Sequence, residues 1–551
     1  MKKNAIKILY LNLILIIMIS CNRNKKSIDM LISNATVYTV DSNFSIVNCI
    51  AIDKGKIIET GETIDIINKY NADTIIDIKE KFVYPGFNDA HCHFYSYSII
   101  SEYWINLRNT KSFEEMLKRV VDFKEGRNYD WIAGRGWDQN NWEKKEFPCK
   151  DTLDKLFPDN PVVLVRIDGH AVLANNEALK RANITIDTKF EGGEVFVKDD
   201  KLTGILLDKA ADYMKEQVPA PNTNEIIQCF INSEQNCFAA GLTSITEAGL
   251  EKDIILLYDS LQKNNKLKIR INAMIHPSDE NIEHFVENGI YKTERLNVRS
   301  IKLYADGALG SRGARLFKPY SDDTSNYGLI VEPIDKYHKI CKKALESGYQ
   351  ICTHAIGDSA NRMILNIYGK YLLKQNDKRW RIEHAQVIHP DDVKLFKEFS
   401  IIPSIQATHA TSDMYWVEAR LGKERTKNAY IYKTLLEQNG WLPNGTDFPI
   451  EEIFPLNTFY AAVVRKDSKA YPENGFNSEN ALDRISALRS ITIWAAKAAF
   501  EENEKGSLET GKFADIVILD KDIMNIDENE ILNTKVLMTI SGGEIVWKNN
   551  E

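Results

Sequence analysis

The sequence predicts an α/β fold, a (β/α)8 TIM barrel with a small β-sandwich domain formed from both chain ends. Three observations lead there. The middle of the chain alternates short apolar runs with longer helix-like stretches, the order of a parallel sheet covered by helices. Several of those runs end in ionisable residues, and chemistry in such barrels sits at the C-terminal ends of the strands. The two chain ends carry a different pattern, strands joined by tight turns, and neither end is long enough to make a sound sheet by itself.

The elements follow in chain order. "MLISNATVYTV" (30–40) and "CIAIDKGKIIETG" (49–61) read as strands, the second a hairpin turning at Asp53-Lys54-Gly55. The barrel strands are expected at 87–94, 242–249, 268–275, 299–307, 349–358, 379–386, 401–409 and 441–449. The gap between the first two is too long for one helix, so an insertion is expected at about 100–235. "GKFADIVILD" (511–520) and "VLMTISGGEIVWKN" (536–549) return to the alternating pattern, the latter turning at Gly542-Gly543. The expected division is therefore 29–84 and 501–551 for the sandwich and 85–500 for the barrel with its insertion.

The chain has 551 residues, enough for a large core, and a formal net charge of −8. No Lys/Arg-rich block follows the N-terminal segment, so nucleic acid is not an expected partner. Lys2, Lys3 and Lys7 precede an apolar run, Ile8 to Ile19, that is short for a membrane span. The run ends at Ser20-Cys21, which resembles the lipobox of bacterial lipoproteins, with Met18 where leucine is usual. That resemblance implies a signal peptide over 1–21, a tether over 22–28 and lipidation of Cys21, with a plain secretory signal or an uncleaved anchor as the alternatives. It also implies a membrane-anchored protein of a bacterial cell envelope, on the periplasmic face. The cysteines beyond Cys21 are scattered, odd in number and without a C-x-x-C, which argues against a disulfide framework and a cysteine zinc site.

"GFNDAHCHF" (86–94) opens the barrel. Along an extended chain side chains alternate faces, so His91 and His93 point one way and Cys92 the other. Two neutral imidazoles converging from one strand suit a divalent metal such as zinc. A pair of ordinary polar residues at a strand edge reads the same way in isolation. Other ionisable residues fall at or near later strand ends: Lys302, His354, His384 and Asp447.

Here the chain resembles the amidohydrolase superfamily, in the branch of the N-substituted formamide deformylases. The matching stretches are "PGFNDAHCHF", "IKLYADGALGSRGA" (301–314), "THAIGD" (353–358), "RIEHAQ" (381–386), "GTDFP" (445–449) and the tail "GSLETGKFADIVILD" (506–520). The resemblance implies that His91, His93, Lys302, His354, His384 and Asp447 hold Zn2+, one ion or two, with other divalent metals open. Lys302 would carry a CO2-derived carbamate, because a bare ammonium repels a cation. A plain lysine paired with Asp306 is the alternative. A bound metal lowers the pKa of water from about 15.7 toward about 7. Asp447 would shuttle the proton to the leaving nitrogen.

The implied activity is hydrolysis of a non-peptide C–N bond, in an N-acyl or N-formyl amide as small-molecule substrate. A cyclic amide or an ester is the alternative within the superfamily, and a non-catalytic binding lipoprotein on this fold is the alternative outside it. His170, Asp306 and Arg312 are candidates for substrate contact. His409 ends the seventh strand but matches no metal ligand of the family. "DWIAGRGWDQNNW" (130–142) reads either as a pocket wall or as ordinary packing. A homodimer stays open. Labelled palmitate fed to expressing cells is expected to enter the wild-type protein and not Cys21→Ala; unlabelled wild-type protein in the cytosol would contradict the anchor.

Overall fold

In the computed structural model, residues 25–550 are described, apart from 127–129, 168, 170, 191 and 192. Cys21 and His170 lie outside the described residues. The chain divides into two compact units, one holding the residues up to His93 and from Glu234 onward, the other Phe94–Ser233.

The first unit contains two small sheets and the barrel. In one small sheet, strand Lys26–Ser33 lies between Cys49–Asp53 and Tyr70–Asp77, with Lys56–Gly61 at the edge. The hairpin turns at Lys54 and Gly55, both at positive φ, as a tight turn between twisted strands requires. Gly55 has a second reason to be glycine: a Cβ there would meet the Gly542 carbonyl oxygen at 2.7 Å. The other small sheet mixes the chain ends. Phe82–Pro85 pairs antiparallel with Ile516–Leu519, which pairs with Val536–Ser541. Ile32, Ile52, Val83, Ile516 and Ile540 share one core between the sheets, so apolar faces from both ends bury each other.

The barrel strands are β1 (Phe87–Cys92), β2 (Leu242–Leu250), β3 (Arg270–Ile275), β4 (Leu296–Tyr304), β5 (Gln350–Ala355), β6 (Arg381–His384) and β7 (Ile402–Ser404). They pair in chain order, each parallel to the next. The segment 441–449 is not the eighth strand that its apolar start suggests. Pro443 and Pro449 lack the N–H that a ladder needs, and Asp447 sits at φ 61. The segment still bonds to both neighbours. Gly445 N donates to Ile405 O, Ala90 N to Asn444 O and Asp447 N to His91 O. Gly445 permits that approach, since a Cβ would lie 2.4 Å from His91 N. An irregular eighth segment thus links the two edges of a seven-stranded parallel sheet.

The second unit has its own six-stranded sheet, running from Gly193–Lys198 at one edge to Trp104–Asn106 at the other. Apolar clusters pack on it, one including Leu107, Trp137 and Leu164, another Val163, Val172 and Met214. The tryptophans of "DWIAGRGWDQNNW" serve this core. Trp137 is fully buried, donates its indole N–H to Leu164 O at 2.8 Å and stacks on Trp142. Cys49, Cys229, Cys237, Cys341 and Cys352 are buried thiols and Cys149 is an exposed one; Cys92 is buried with its Sγ donating to Thr246 O at 3.4 Å.

Within the first unit, Arg270 of β3 forms a buried ion pair with Asp515, Nε to Oδ2 at 2.8 Å, while Gly542 N donates to Asp515 Oδ1. Asp515→Ala leaves the guanidinium buried without its partner, a loss of about 3–5 kcal/mol. The urea midpoint is expected to fall sharply in Asp515→Ala and to recover in part in Arg270→Met/Asp515→Leu. An unchanged midpoint in the single variant would show that the pair does not tie the barrel to the C-terminal sheet.

Candidate metal centre

The residues at the C-terminal ends of β1, β4, β5 and β6 converge with the eighth segment. His91 is fully buried. Its Nδ1 lies 2.5 Å from Glu383 Oε2, and its Nε2 lies 3.1 Å from Lys302 Nζ and 3.8 Å from Asp447 Oδ1. The carboxylate claims the Nδ1 proton, which leaves the Nε2 lone pair facing the cluster. His93 Nε2 lies 3.2 Å from Asp447 Oδ1. His384 packs against the His91 and His354 rings, at centroid distances of 5.1 and 4.5 Å. His91 in β1 and His93 just past its end therefore both reach one carboxylate.

Backbone geometry completes the convergence. Strict alternation along β6 would send His384 to the face opposite Glu383. His384 instead adopts φ 72, and both residues lie against His91. Asp447, at φ 61, is likewise left-handed. Non-glycine residues held in that region cost free energy and collect at functional sites.

Behind the imidazoles stands a layer that sequence reasoning missed. Glu383 is fully buried and paired with Arg381, Nε to Oε1 at 2.6 Å, and Ser404 Oγ donates to its Oε2 at 2.8 Å. Arg381 also donates to Ala90 O in β1. Burial alone would raise the Glu383 carboxyl; Arg381 and His91 outweigh it and hold the group well below the usual carboxylate range. Asp89 does similar work from β1, accepting from Thr446 Oγ1 at 2.6 Å, Thr446 N and His91 N. One signal for this layer was present in "RIEHAQ": opposite charges two apart on a strand that must be buried share a face and pair.

Two substrate-contact candidates are otherwise engaged. Asp306 accepts backbone N–H groups of Arg315, Ile356 and Gly357, so its oxygens fasten the chain around β4 and β5. Its Oδ1 also stands 3.8 Å from His354 Nε2, at the border of the cluster. Arg312 forms a two-point ion pair with Asp322, Nε and Nη2 at 3.1 and 3.0 Å. His409, by contrast, joins the cluster. Its Nε2 lies 3.4 Å from Asp447 Oδ2 and its ring stacks on His384 at 5.8 Å.

The donor set fits a divalent cation. His91, His93 and Asp447 offer ligand atoms within 4.8 Å of one another, and His384 and His409 come equally close to Asp447 from its other side. His354 Nε2, His384 Nδ1 and Asp447 Oδ1 are buried without a hydrogen-bond partner, a costly arrangement for polar atoms with nothing to bind. Burial, reinforced by Lys302, pulls His91 down to about 4 and His354 to about 3. Both imidazoles are thus neutral at neutral pH, the form that binds metal. Burial also lowers Lys302 against the opposing pull of Glu383 and Asp447.

A family model described as "Amidohydrolase family" matches residues 74–547. The chain belongs to the amidohydrolase family. This amidohydrolase is 30% identical over 538 residues to Protein LONG AFTER FAR-RED 3 of Arabidopsis thaliana, covering 94% of this chain and 91% of that one. It is 22% identical over 546 residues to the N-substituted formamide deformylase of Arthrobacter pascens, covering 94% and 98%. Its fold matches the crystal structure of an uncharacterized metal-dependent hydrolase from Pyrococcus horikoshii OT3 with a TM-score of 0.76 and 29% identity, over 91% of this chain and 99% of that one. The barrel, the donor set and these relatives agree on a metal-dependent hydrolase.

Glu383→Gln keeps the shape but gives up the charge that orients His91. Loss of such a support typically weakens metal binding about 10–100-fold. Competition between the variant and a chromophoric zinc chelator is expected to show a drop of that size. Equal affinities would remove Glu383 from the metal centre.

Proposed function

We propose that this amidohydrolase cleaves the C–N bond of an N-acyl or N-formyl amide and does so as an envelope lipoprotein anchored through Cys21. The observation that carries the catalytic reading is Asp447. Its Oδ1 is buried, without a hydrogen-bond partner, and faces the two β1 histidines, while Oδ2 faces the other side of the cluster. A carboxylate so divided can help hold a cation and still move a proton. His91, His93, His354, His384 and Asp447 would hold zinc, as one ion or two. When bound, zinc supplies Lewis acidity, making water acidic enough to attack at neutral pH.

The remaining work falls to the side chains. Asp447 takes the proton of the attacking water as the C–O bond forms and returns it to nitrogen as the C–N bond breaks. Amides need that second transfer, because an amine anion is a poor leaving group. Burial would raise the Asp447 carboxyl; contacts with His93, His91 and His409 hold it below the ordinary range, so it starts as the acceptor. Lys302 is buried, and its lowered pKa favours the free amine that adds to CO2. The carbamate that results, after loss of a proton, is anionic and offers two oxygens. The amide substrate class rests on the resemblance to the formamide deformylases and on the name of the Arthrobacter relative.

The direct test is a panel of N-formyl and N-acetyl amines, cyclic amides and aryl esters offered to zinc-loaded protein. Open-chain amides are expected to be the better substrates; turnover confined to esters or cyclic amides would replace the substrate class. On the best substrate Asp447→Asn is expected to lower turnover by about 10²–10⁴-fold with most stability retained. Near wild-type turnover would end the shuttle role. Lys302→Ala is expected to lose metal and activity together, with partial return of both when short carboxylic acids are added. Full metal content and rate in that variant would rule the carbamate out.

A further inference from the structure

His409 lies in the helix Ala407–Asp413 that follows β7 and is 9% exposed. Its Nε2 has no hydrogen-bond partner, yet stands 3.4 Å from Asp447 Oδ2. The other oxygen of the same carboxylate has different company, His93 Nε2 at 3.2 Å and His91 Nε2 at 3.8 Å. The His409 ring stacks nearly parallel to that of His384, 11° apart, which fixes its tilt.

The helix is fastened to the segment that carries Asp447. Ala407 N donates to Asn444 Oδ1 at 3.1 Å, and Tyr432 Oη donates to Gln406 O at 2.9 Å. At the far end Asp413 accepts from Tyr430 Oη at 2.7 Å and Gln386 Nε2 at 3.3 Å. His409 and Asp447 are therefore set against each other by the scaffold. Hydrogen bonds that matter in catalysis are often long in the resting site and tighten in the reacting complex.

The geometry points to His409 as a positioning residue: its Nε2–H holds Asp447 Oδ2, so that Oδ2 is the oxygen that hands the proton to the leaving nitrogen, while Oδ1 stays with His91 and His93. The inference rests on the amide-hydrolysis reading above. The balance is simple. Water oxygen bonds to the carbonyl carbon and its proton passes to Oδ2. The C–N electron pair then goes to nitrogen, which takes that proton and leaves as a neutral amine, and Asp447 is again a carboxylate. His409 donates its hydrogen bond in the reacting complex and changes no covalent bond of its own. Without it the carboxylate is free to turn, and the step that suffers is protonation of nitrogen.

The test compares wild type, His409→Leu and His409→Gln as zinc-loaded full-length protein. Metal content is read by mass spectrometry, and kcat and KM on para-substituted formanilides and on 4-nitrophenyl acetate. Metal content is expected to match wild type in both variants. His409→Leu is expected to lower kcat on the anilides by about 10–100-fold with little change in KM. The loss should shrink as the leaving amine becomes less basic and nearly vanish on the ester, whose leaving group needs no proton. His409→Gln, which keeps an N–H at that reach, should recover much of the rate. Loss of metal in His409→Leu would make His409 a ligand instead, and an equal loss on anilides and ester would make it a general structural element; either overturns the inference. Turnover of none of the anilides by wild type would remove the amide reading, and this inference with it, before any variant is compared.

Discussion

A fully buried carboxylate, Glu383, sets the terms for the barrel mouth. It has no contact with water, so its charge must be met inside the protein. Arg381 meets it from the same strand, Ser404 from β7 and His91 from β1. These contacts span the seam of the barrel, and the bond to His91 also fixes which imidazole nitrogen is left for the metal centre. The fold and the chemistry thus share one electrostatic constraint. Burial and Lys302 keep His91 neutral against the opposing pull of Glu383, and with its Nδ1 held by that carboxylate its Nε2 is directed at Lys302 and Asp447.

The seam has a second fastening. The eighth segment cannot form a regular strand, yet it must present Asp447 to the β1 histidines. Asp89 solves the problem by accepting from both the backbone and the hydroxyl of Thr446. Buried at the base of the cluster, its carboxyl is raised to about 7, burial outweighing the hydrogen bonds from Thr446 and His91. Backbone bonds from Asp447 to His91 and from His93 to Phe448 lock the same register. The left-handed turn at Asp447 then frees its side chain from the strand pattern. A hydrolytic site needs a carboxylate that is fixed in place but not fully satisfied, and Asp447 Oδ1 meets both conditions.

Much of this was legible in the sequence, for reasons that differ by residue. His91 and His93 could be paired because a strand alternates, and the seven regular strands could be found because they are short apolar runs between helices. The sandwich followed from the similarity of pattern at the two ends. The eighth segment was misread as a strand because its apolar start outweighed Pro443, Gly445 and Pro449. The role of Glu383 and Arg381 is hidden in the sequence because their partner His91 is almost three hundred residues away along the chain. For His409 what the sequence lacks is the distance to Asp447, which no local pattern carries. The tryptophans of the insertion, open in the sequence between a pocket wall and ordinary packing, belong to an ordinary core.

The central claim is that the buried polar cluster exists to hold a divalent cation. Zinc titration of chelator-stripped full-length protein by calorimetry tests it most directly, with His91→Ala/His93→Ala as the control. The account predicts tight binding of at least one zinc per chain by wild type, and loss of that binding in the double variant while its circular dichroism stays native. Folded wild-type protein that takes up no zinc, cobalt or manganese would contradict it.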